Sequence, residues 1–307
     1  MTGTAGIPVP AAKPGFRFRR LEKPEEFRAA EELQREAVGM EGETPTGSTV
    51  ERVMQDHGGL VLGAFADIYL AGVTVGFIGW DGRELYHYLH VAAVRPEYQN
   101  HQVAYRLLAY LREEVLGQGL PRVRWVLDPL QSRAAHVSVR KLGAAPDRYH
   151  PHYFGQLDSA ADRGLETDRL TVTWELPAPA VEARLAGTHP TPEEDRRRWE
   201  RSSAIVETDL SDEGFRRPVA VAEPGGPEAH LEIPFDVAAI RDNAPAGLRT
   251  WRHAVRDAFR AAFDLGYIVD DFAVLPVDHE RRSFYLLHRS KGAPAPPPDG
   301  TGTVGSK

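Results

Sequence analysis

The chain has 307 residues, enough for one large domain or two ordinary ones. Hydrophobic residues make up 42% and charged residues 26% of the sequence, so a buried core can form. The 37 basic and 44 acidic residues leave a net charge of -7, which gives no general attraction to nucleic acid or to anionic membranes. The sequence contains no cysteine, which excludes disulfides, thiolate metal sites and cysteine nucleophiles.

Proline and glycine divide the chain into two predicted bodies. Residues 1–15 predict a flexible leader without the basic start and apolar core of a signal peptide, so the cytoplasm is the expected compartment. Residues 177–197 carry four prolines and predict a linker. This leaves a first body over 16–176, a second body over 198–290 and a disordered tail over 291–307.

The first body alternates predicted strands and helices. Apolar spacing and turn residues predict, in chain order, strand 16–21, helix 24–38, a short helix capped by Ser48 or Thr49, strands 60–65, 73–80 and 85–94, helix 103–116, strand 122–127, helix 134–142 and strand 170–176. The stretch from Leu60 to Trp80 is long and apolar enough to cross a bilayer. Its four glycines and Asp67 favour two adjacent strands instead.

The second body has a similar predicted order of strands and helices. Its patterns predict strands 204–208, 218–222 and 231–233, a helix over 246–265, and strands 267–275 and 284–288. In both bodies a helix is followed by glycine, a strand and a proline, at Gly119 to Pro129 and at Gly266 to Pro276. An internal half-repeat is one interpretation, and chance recurrence of a common order is the other.

The most informative segment follows the predicted strand 85–94. Residues 94–108 read VRPEYQNHQVAYRLL, which predicts a strand end, a short loop and a helix start. Such a junction presents unpaired backbone N–H groups at the positive end of a helix, where they bind phosphate. The small side chain of Ala104 permits close approach of a ligand, whereas Gln102 is larger.

This segment resembles the acyl-CoA-binding motif of the GNAT superfamily of N-acyltransferases. That motif has Arg or Gln, two variable residues, Gly, one variable residue, and then Gly or Ala. Gln99, Ala104 and the preceding VRPEY match it, while Gln102 stands where the family has glycine. The resemblance implies that acetyl-CoA or succinyl-CoA is the co-substrate, bound through Gln99, Gln102, Val103, Ala104 and Tyr105.

The resemblance extends over most of the chain. Residues 122–144 are similar to the later strand and helix of the fold, with Ala134 in place of an asparagine and Val139 in place of a tyrosine acid. A pattern that includes Trp251-Arg252, Arg256, Phe259, Gly266-Tyr267 and Asp271-Phe272 resembles one branch of GNAT acyltransferases with a C-terminal extension. The implied fold class is α/β (α+β), with a GNAT-like mixed central sheet, flanking helices and a smaller α+β C-terminal domain.

The implied reaction is direct transfer of an acetyl or succinyl group from acyl-CoA to the amine of a small molecule. Some members of the branch suggest an amino acid as the acceptor. Backbone groups near Ala92 and Val94 would bond the pantetheine arm, and a strand N–H would polarise the thioester carbonyl. His90 is a candidate general base; its alternative is an exposed or hydrogen-bonded strand histidine.

Further candidates follow the strand 122–127 and lie in the segment RYHPHYFG. Asp128 is a candidate catalytic residue past the end of a strand, or else a turn residue before Pro129. Tyr153 is a candidate acid, and Tyr149 and Arg169 are candidate acceptor contacts, because arginine matches carboxylate geometry. His150 and His152 are two histidines without a third ligand nearby, so no metal site is predicted.

The sequence therefore predicts an acyltransferase that transfers groups other than aminoacyl groups. The alternative is a degenerate GNAT that binds acyl-CoA or a metabolite without turnover, an interpretation supported by Gln102, Ala134 and Val139. The expected partner is a small-molecule amine, with neither nucleic acid nor membrane, and the expected assembly is a monomer or a homodimer.

Overall fold

The computed structural model describes residues 15–38, 45–155 and 165–290. The predicted tail, and the predicted leader except for Gly15, lie outside the described residues. Within the described part of the chain, no helix is both long and apolar enough to cross a membrane.

A seven-stranded mixed sheet forms the centre of the first body. Its strands are β1 (Phe16–Arg20), β2 (Leu60–Ala66), β3 (Tyr69–Trp80), β4 (Leu85–Val94), β5 (Arg122–Leu127), β6 (Ala145–His150) and β7 (Arg169–Glu175). They lie in the order β1-β2-β3-β4-β5-β7-β6. Every neighbouring pair is antiparallel except β4 and β5, which run parallel. The apolar run from Leu60 to Trp80 thus folds into two hydrogen-bonded strands, as predicted.

Three helices cover this sheet on its two faces. On one face α1 (Pro24–Val38) and α2 (Ser48–Asp56) pack over β2, β3 and β4, with Phe27 and Leu33 buried against Val73 and Val75. On the other face α3 (Val103–Gly117) buries Leu107 and Leu111 in the main core. Each fully buried side chain of this kind stabilises the fold by about 1.5–3 kcal/mol.

Three local predictions in the first body need correction. Gly47 occupies the N-cap position of α2 and Ser48 is already helical, so neither Ser48 nor Thr49 caps it. The helix predicted over 134–142 is α4 (Ser132–Ala135), continued by a π-helix over His136–Lys141. Strand β6 was not predicted, because its sequence APDRYH lacks an alternating apolar pattern.

The second body contains two further sheets. Strands β8 (Ser203–Ala204), β11 (Glu228–Ile233), β12 (Tyr267–Val277) and β13 (Glu280–Arg289) form a four-stranded sheet in the order β12-β13-β11-β8. Strands β9 (Val206–Leu210) and β10 (Arg216–Val221) form a two-stranded one. Two helices, α7 (Val237–Asn243) and α8 (Pro245–Asp264), accompany them, and α7 was not predicted.

The strand order argues against an internal half-repeat. In the first body β4 and β5, which flank α3, are direct neighbours. In the second body β11 and β12 flank α7 and α8, but β13 lies between them. The shared order of helix, glycine and strand therefore does not produce the same sheet.

The segment 177–197, predicted as a linker, is helical and packed. It contains α5 (Pro179–Leu185) and the first part of α6 (Pro192–Arg201). Val181 is buried in the main core. That core also holds Trp174 of β7 together with Trp251 and Phe259 of α8, so the two bodies share one hydrophobic interior.

Candidate active site

A gap between β4 and β5 is the main irregularity of the large sheet. The two strands, both fully described, pair only at His87 with Val123 and at Tyr88 with Arg124. Residues from Leu89 to Val94 have no ladder partner on β5, although they continue to pair with β3 on the other side. The strands therefore form a V that opens toward their carboxyl ends, where ligands bind in many α/β sheets.

Backbone groups of β4 line this gap. The N–H of Arg95 points toward β3, since it donates to Ala71 O at 2.9 Å. Successive residues of a strand point their backbone groups to opposite sides, so those of Ala92 and Val94 point toward the gap. The carbonyl of Val94 accepts a long 3.4 Å hydrogen bond from the side chain of Gln99. The gap is thus an open edge within the sheet.

A β-bulge lies at His90, near the closed end of the V. Val75 pairs with Val91 and Gly76 pairs with Leu89, which leaves His90 without an opposite residue on β3. Bulges of this kind re-aim a side chain and free a backbone group from the ladder. Although part of the His90 side chain is exposed, desolvation of the rest lowers the pKa of His90 below its ordinary value. Its imidazole is therefore neutral at pH 7 and can accept a proton.

The loop after β4 leads into α3 through two left-handed residues. Asn100 and Gln102 have φ angles of 66° and 60°, a conformation that glycine adopts at no steric cost. Gln102 is the N-cap of α3, and the first intrahelical hydrogen bond runs from Arg106 N to Gln102 O at 3.0 Å. The N–H groups of Val103, Ala104 and Tyr105 precede that bond, so they form the positive helix end.

The face of β5, β7 and β6 on the side of α1 and α2 is polar and uncovered by those helices. Alternation places there the half-buried side chains Arg122, Arg124, Arg148, His150, Arg169, Thr171 and Thr173. His150 Nε2 lies 2.8 Å from Thr171 Oγ1, and the guanidinium of Arg169 lies 5.2 Å from the Phe154 ring centroid. The charges of Arg122 and Arg124 are already paired there, with Glu175, Glu84 and Asp81, so a polar ligand that enters the V from this side meets a mixed polar surface.

Tyr153 approaches β4 at the closed end of the V. It follows β6 in a turn over 151–155 and lies against the rings of His150 and Phe154. Burial raises the pKa of Tyr88 well above its usual range, and the nearby, hydrogen-bonded hydroxyl of Tyr153 adds to that rise. Phe77 lies beside both Tyr88 and His90, with ring centroids 5.2 and 6.4 Å away. Tyr153 thus lies near Tyr88, and His90 lies near Phe77, whose ring contacts that of Tyr88.

Asp128 is engaged by the second body. It lies directly after β5, and its carboxylate accepts from Arg252 of α8 at 2.7 Å and from Leu130 N at 3.0 Å. Burial alone would raise the pKa of Asp128, but the charge of Arg252 and its hydrogen bond lower it below the ordinary value. A carboxylate held in this way is a poor proton acceptor, so the geometry favours a positioning role over the predicted catalytic one.

Tyr149 points away from the uncovered polar face. Only 8% of it is exposed; its hydroxyl donates to Asp168 at 2.7 Å, and its ring stacks on Phe259 of α8. This environment does not suit the acceptor contact predicted for it. Arg169, on the opposite side of the sheet, is half-buried beside Phe154 and remains placed for such a contact.

The two residues of the α4 segment that differ from the GNAT pattern, Ala134 and Val139, lie in different environments. Val139 is 1% exposed within the π-helix, and as a valine it offers no hydroxyl at the position of the family's tyrosine acid. Ala134 is exposed on α4. Within the described residues no group of three or more histidine, aspartate or glutamate side chains is arranged to hold a metal ion.

Comparison with known proteins identifies the first body. Residues 22–144, from α1 to the residue before β6, match the model of the acetyltransferase (GNAT) family. This part of the chain is therefore similar to a GNAT acetyltransferase domain. The matched range is less than half of the chain and includes the V, the bulge at His90 and the junction with α3, while β6, β7 and the second body lie beyond it.

Several solved acetyltransferase structures align with the chain at low identity. The ribosomal-protein-S18-alanine N-acetyltransferase from Escherichia coli is 16% identical, with 53% of this chain and 96% of that one covered and a TM-score of 0.44. An aminoglycoside 6'-acetyltransferase type Ii is 17% identical, with 53% and 99% covered and a TM-score of 0.43. The NatC complex, solved with Gag peptide and CoA, is 14% identical, with 52% and 98% covered and a TM-score of 0.42. No curated protein sequence matches the chain significantly.

Sequence reasoning missed the residues that join the first body to the second. Arg252 and Arg256 were noted only as parts of a pattern, yet they hold Asp128 and Asp168. Tyr88 and the bulge at His90 were missed as well. Alternation along LYHYLH gives no sign of a bulge, whereas the two arginines four residues apart on an apolar helix were a usable sign of buried ion pairs.

Proposed function

We propose that the protein is a CoA-dependent N-acyltransferase that moves an acetyl or succinyl group to the amine of a small molecule. The V between β4 and β5 carries this proposal, because an extended arm with amide groups can complete the unpaired edge of β4. The match of residues 22–144 to the GNAT family supports an acyl-CoA as the donor. The net charge of -7 means that specific N–H groups, rather than a general positive field, must hold its phosphates.

The chain's own groups fit such a donor at two places. The N–H groups of Val103, Ala104 and Tyr105 form the open end of α3 and would bind the pyrophosphate, with Gln99 and Gln102 beside it. The backbone of Ala92 and Val94 would bond the amides of the pantetheine arm. A backbone N–H freed at the bulge would polarise the thioester carbonyl, as an oxyanion hole does.

His90 and Tyr153 are the proposed proton-transfer residues. His90, neutral at pH 7, would accept the proton that the amine loses when it attacks the thioester carbon. Tyr153 would donate to the departing thiolate. Because a thiol has a pKa of about 8.5, an acid speeds its departure without being indispensable, and the loss of a tyrosine at 139 does not remove activity by itself. Arg169 would contact an acidic group on the acceptor.

A degenerate domain that binds acyl-CoA without turnover is the second candidate. Its specific support is the buried Val139, which leaves the α4 segment without an acid, together with Gln102 in a conformation that favours glycine. The proximity of Tyr153 to Tyr88 favours turnover, since it supplies a hydroxyl from another element. A monomer or homodimer in the cytoplasm stays a prediction.

Two measurements test the proposal. Calorimetry with CoA, dephospho-CoA and ATP should show binding that prefers CoA, and a ligand bound only by the native state should raise the melting temperature. Thiol release should then be followed with acetyl-CoA and succinyl-CoA against a panel of amines and amino acids. Thiol release that depends on an amine supports the transferase, CoA binding without release supports the degenerate domain, and no CoA binding contradicts both.

A further inference from the structure

A half-buried arginine of the second body is bonded to the segment that holds the turn carrying Tyr153. Arg256 of α8 donates from Nε to Asp168 Oδ2 at 2.7 Å and from Nη2 to Asp168 Oδ1 at 2.8 Å, a two-point pairing. It also bonds Glu166 Oε2 at 2.5 Å. Asp168 is 0% exposed and the Arg256 side chain is 15% exposed, so solvent screens this pair less than it would a surface pair.

Asp168 is also hydrogen-bonded to the turn after β6. Its Oδ1 accepts from the backbone N–H of His152 at 3.1 Å, and its Oδ2 accepts from the hydroxyl of Tyr149 at 2.7 Å. His152 is in the left-handed conformation with φ of 51°, which costs a non-glycine residue about 1–2 kcal/mol. The bond from its N–H to Asp168 therefore holds a strained turn in place.

The neighbouring Thr167 completes the clamp on this turn. Its backbone carbonyl accepts from Tyr153 N at 3.0 Å, and its hydroxyl accepts from Phe154 N at 3.0 Å while donating to Gly155 O at 2.7 Å. Thr167 is itself 0% exposed. Residues 152–155 are thus bonded to residues 167 and 168, which are held in turn by Arg256.

We propose that Arg256 is a positioning residue that sets the hydroxyl of Tyr153 against Tyr88 in the V, so that the second body completes the site of the first. The expected change in kcat rests on the proposed function, whereas the expected effect of Arg256 on the position of the turn does not. It assigns the second body a part in the acyl-transfer site rather than a separate activity. The path runs from Arg256 through Asp168 and His152 to Tyr153.

The test uses the full chain with Arg256→Lys and Arg256→Met, each alone and combined with Tyr153→Phe. Lysine keeps the charge opposite buried Asp168 but cannot make both hydrogen bonds, so it separates positioning from folding. Arg260→Met is the matched control, because the Arg260 side chain lies exposed on the same helix and makes no hydrogen bond or ion pair with a described residue. Melting temperatures define an assay temperature at which every variant is folded.

Amide hydrogen exchange of residues 150–155 measures how firmly the turn is held, and it does not require that the protein has acyltransferase activity. Exchange should become faster in Arg256→Lys and Arg256→Met and stay at the wild-type rate in Arg260→Met. Unchanged exchange in both Arg256 variants would overturn the proposal. If the wild type releases no thiol with any amine, the proposed function fails by itself, and this exchange result alone decides the positioning role.

Thiol-release kinetics measure the effect of these variants on kcat. Tyr153→Phe should lower kcat by roughly 10–100-fold, and Arg256→Lys by about fivefold, each without a change in CoA affinity. In the double variant, Arg256→Lys should add no further loss to that of Tyr153→Phe, since both act through one hydroxyl. Losses that multiply, or an Arg256→Lys enzyme with wild-type kcat, would overturn the proposal.

Discussion

Arg252 and Asp128 form a buried ion pair across 124 residues of sequence. The guanidinium of Arg252 lies 2.7 Å from the carboxylate, and the side chains are 1% and 15% exposed. The pair joins the middle of α8 to the loop at the open end of β5. Tyr285 donates to Pro129 O at 3.1 Å and Ser283 bonds Ser132 at 2.8 Å, so the second body fixes this loop at three points.

We expect Asp128→Asn to destabilise the protein by about 3–5 kcal/mol at pH 7, because it leaves the charge of Arg252 buried and unpaired. The folded pKa of Asp128 is below its ordinary value, so its contribution is present above pH ~4 and is lost as the pH falls through the folded pKa. Urea unfolding should show a larger difference from wild type at pH 7 than at pH 3, where the loss of this contribution has begun. Asp257→Asn, exposed on α8, is the control; equal losses for both variants at pH 7 would contradict the prediction.

Glu51 of α2 gives a second pH dependence, of opposite sign. It is 0% exposed; burial raises its pKa from 4.5 to about 7, although a hydrogen bond from Gln34 at 2.6 Å opposes the rise. The folded protein therefore binds a proton that the unfolded chain releases. The stability from protonated Glu51 is fully present below pH 4.5 and is lost as the pH rises through about 7.

Glu51→Gln removes this titration, so its stability relative to wild type should rise by roughly 3 kcal/mol between pH 4 and pH 8. The comparison across pH cancels any constant cost of placing an amide at this site. Urea unfolding at both pH values measures it, with Glu32→Gln, exposed on α1, as the control. A relative stability that does not change with pH would show that Glu51 titrates normally.

Local patterns predicted many elements closely, because they depend on neighbouring residues. The helix over 24–38 and the strands over 85–94 and 122–127 have their predicted bounds, since proline, glycine and apolar spacing mark them within a few residues. The short β6 was missed because its sequence lacks alternation. The helices in 177–197 were missed because four prolines suggested a linker, whereas Pro179 and Pro192 begin helices.

The site was less predictable, because its contacts connect distant parts of the chain. Asp128 was a catalytic candidate because the sequence does not show that Arg252 pairs with it. Tyr149 was an acceptor candidate because the sequence does not show that Asp168 and Phe259 enclose it. The bulge at His90 arises from its register with β3, which no local pattern encodes. The resemblance to a family predicted the loop and helix end after β4, but it did not predict that the arginines of α8 reach the site.

Gln102→Gly should stabilise the protein, by up to about 1 kcal/mol. Gln102 has a φ of 60°, where a side chain costs about 1–2 kcal/mol, although glycine gives back part of this gain through a more flexible unfolded chain. Asn100→Gly, at φ of 66°, is the comparator and should gain less, since asparagine tolerates this conformation. Urea unfolding measures both. CoA binding should tighten in Gln102→Gly, because the side chain no longer limits approach to the loop.

Ala104→Glu should weaken CoA binding strongly while the fold holds. Its carboxylate would compete with the pyrophosphate for the first N–H groups of α3 and repel its charge, although an acidic residue in a first helical turn is itself favourable by about 0.3–1 kcal/mol. Ala109→Glu places the same charge farther along α3 at another half-buried alanine, so it controls for the substitution itself. Calorimetry should show at least a roughly tenfold larger Kd for Ala104→Glu only. Equal affinities in the two variants would mean that the pyrophosphate lies elsewhere.

A chain that ends at Leu176 should be poorly soluble and inactive. It lacks Phe259 and Phe272, which cover the rings of Tyr149 and His136, and it leaves Asp128, Asp168 and Arg140 without their partners. Truncation thus exposes apolar surface and buried charges together, and exposed patches of this kind lead to aggregation. A chain that ends at Ser290 keeps every described residue after Leu176 and is the matched control. Light scattering, binding of a hydrophobic dye and CoA calorimetry compare the two. If the shorter chain is monomeric, binds no more dye and retains full acyl transfer, α8 and its sheet do not support the site, and the role assigned to Arg256 fails with them.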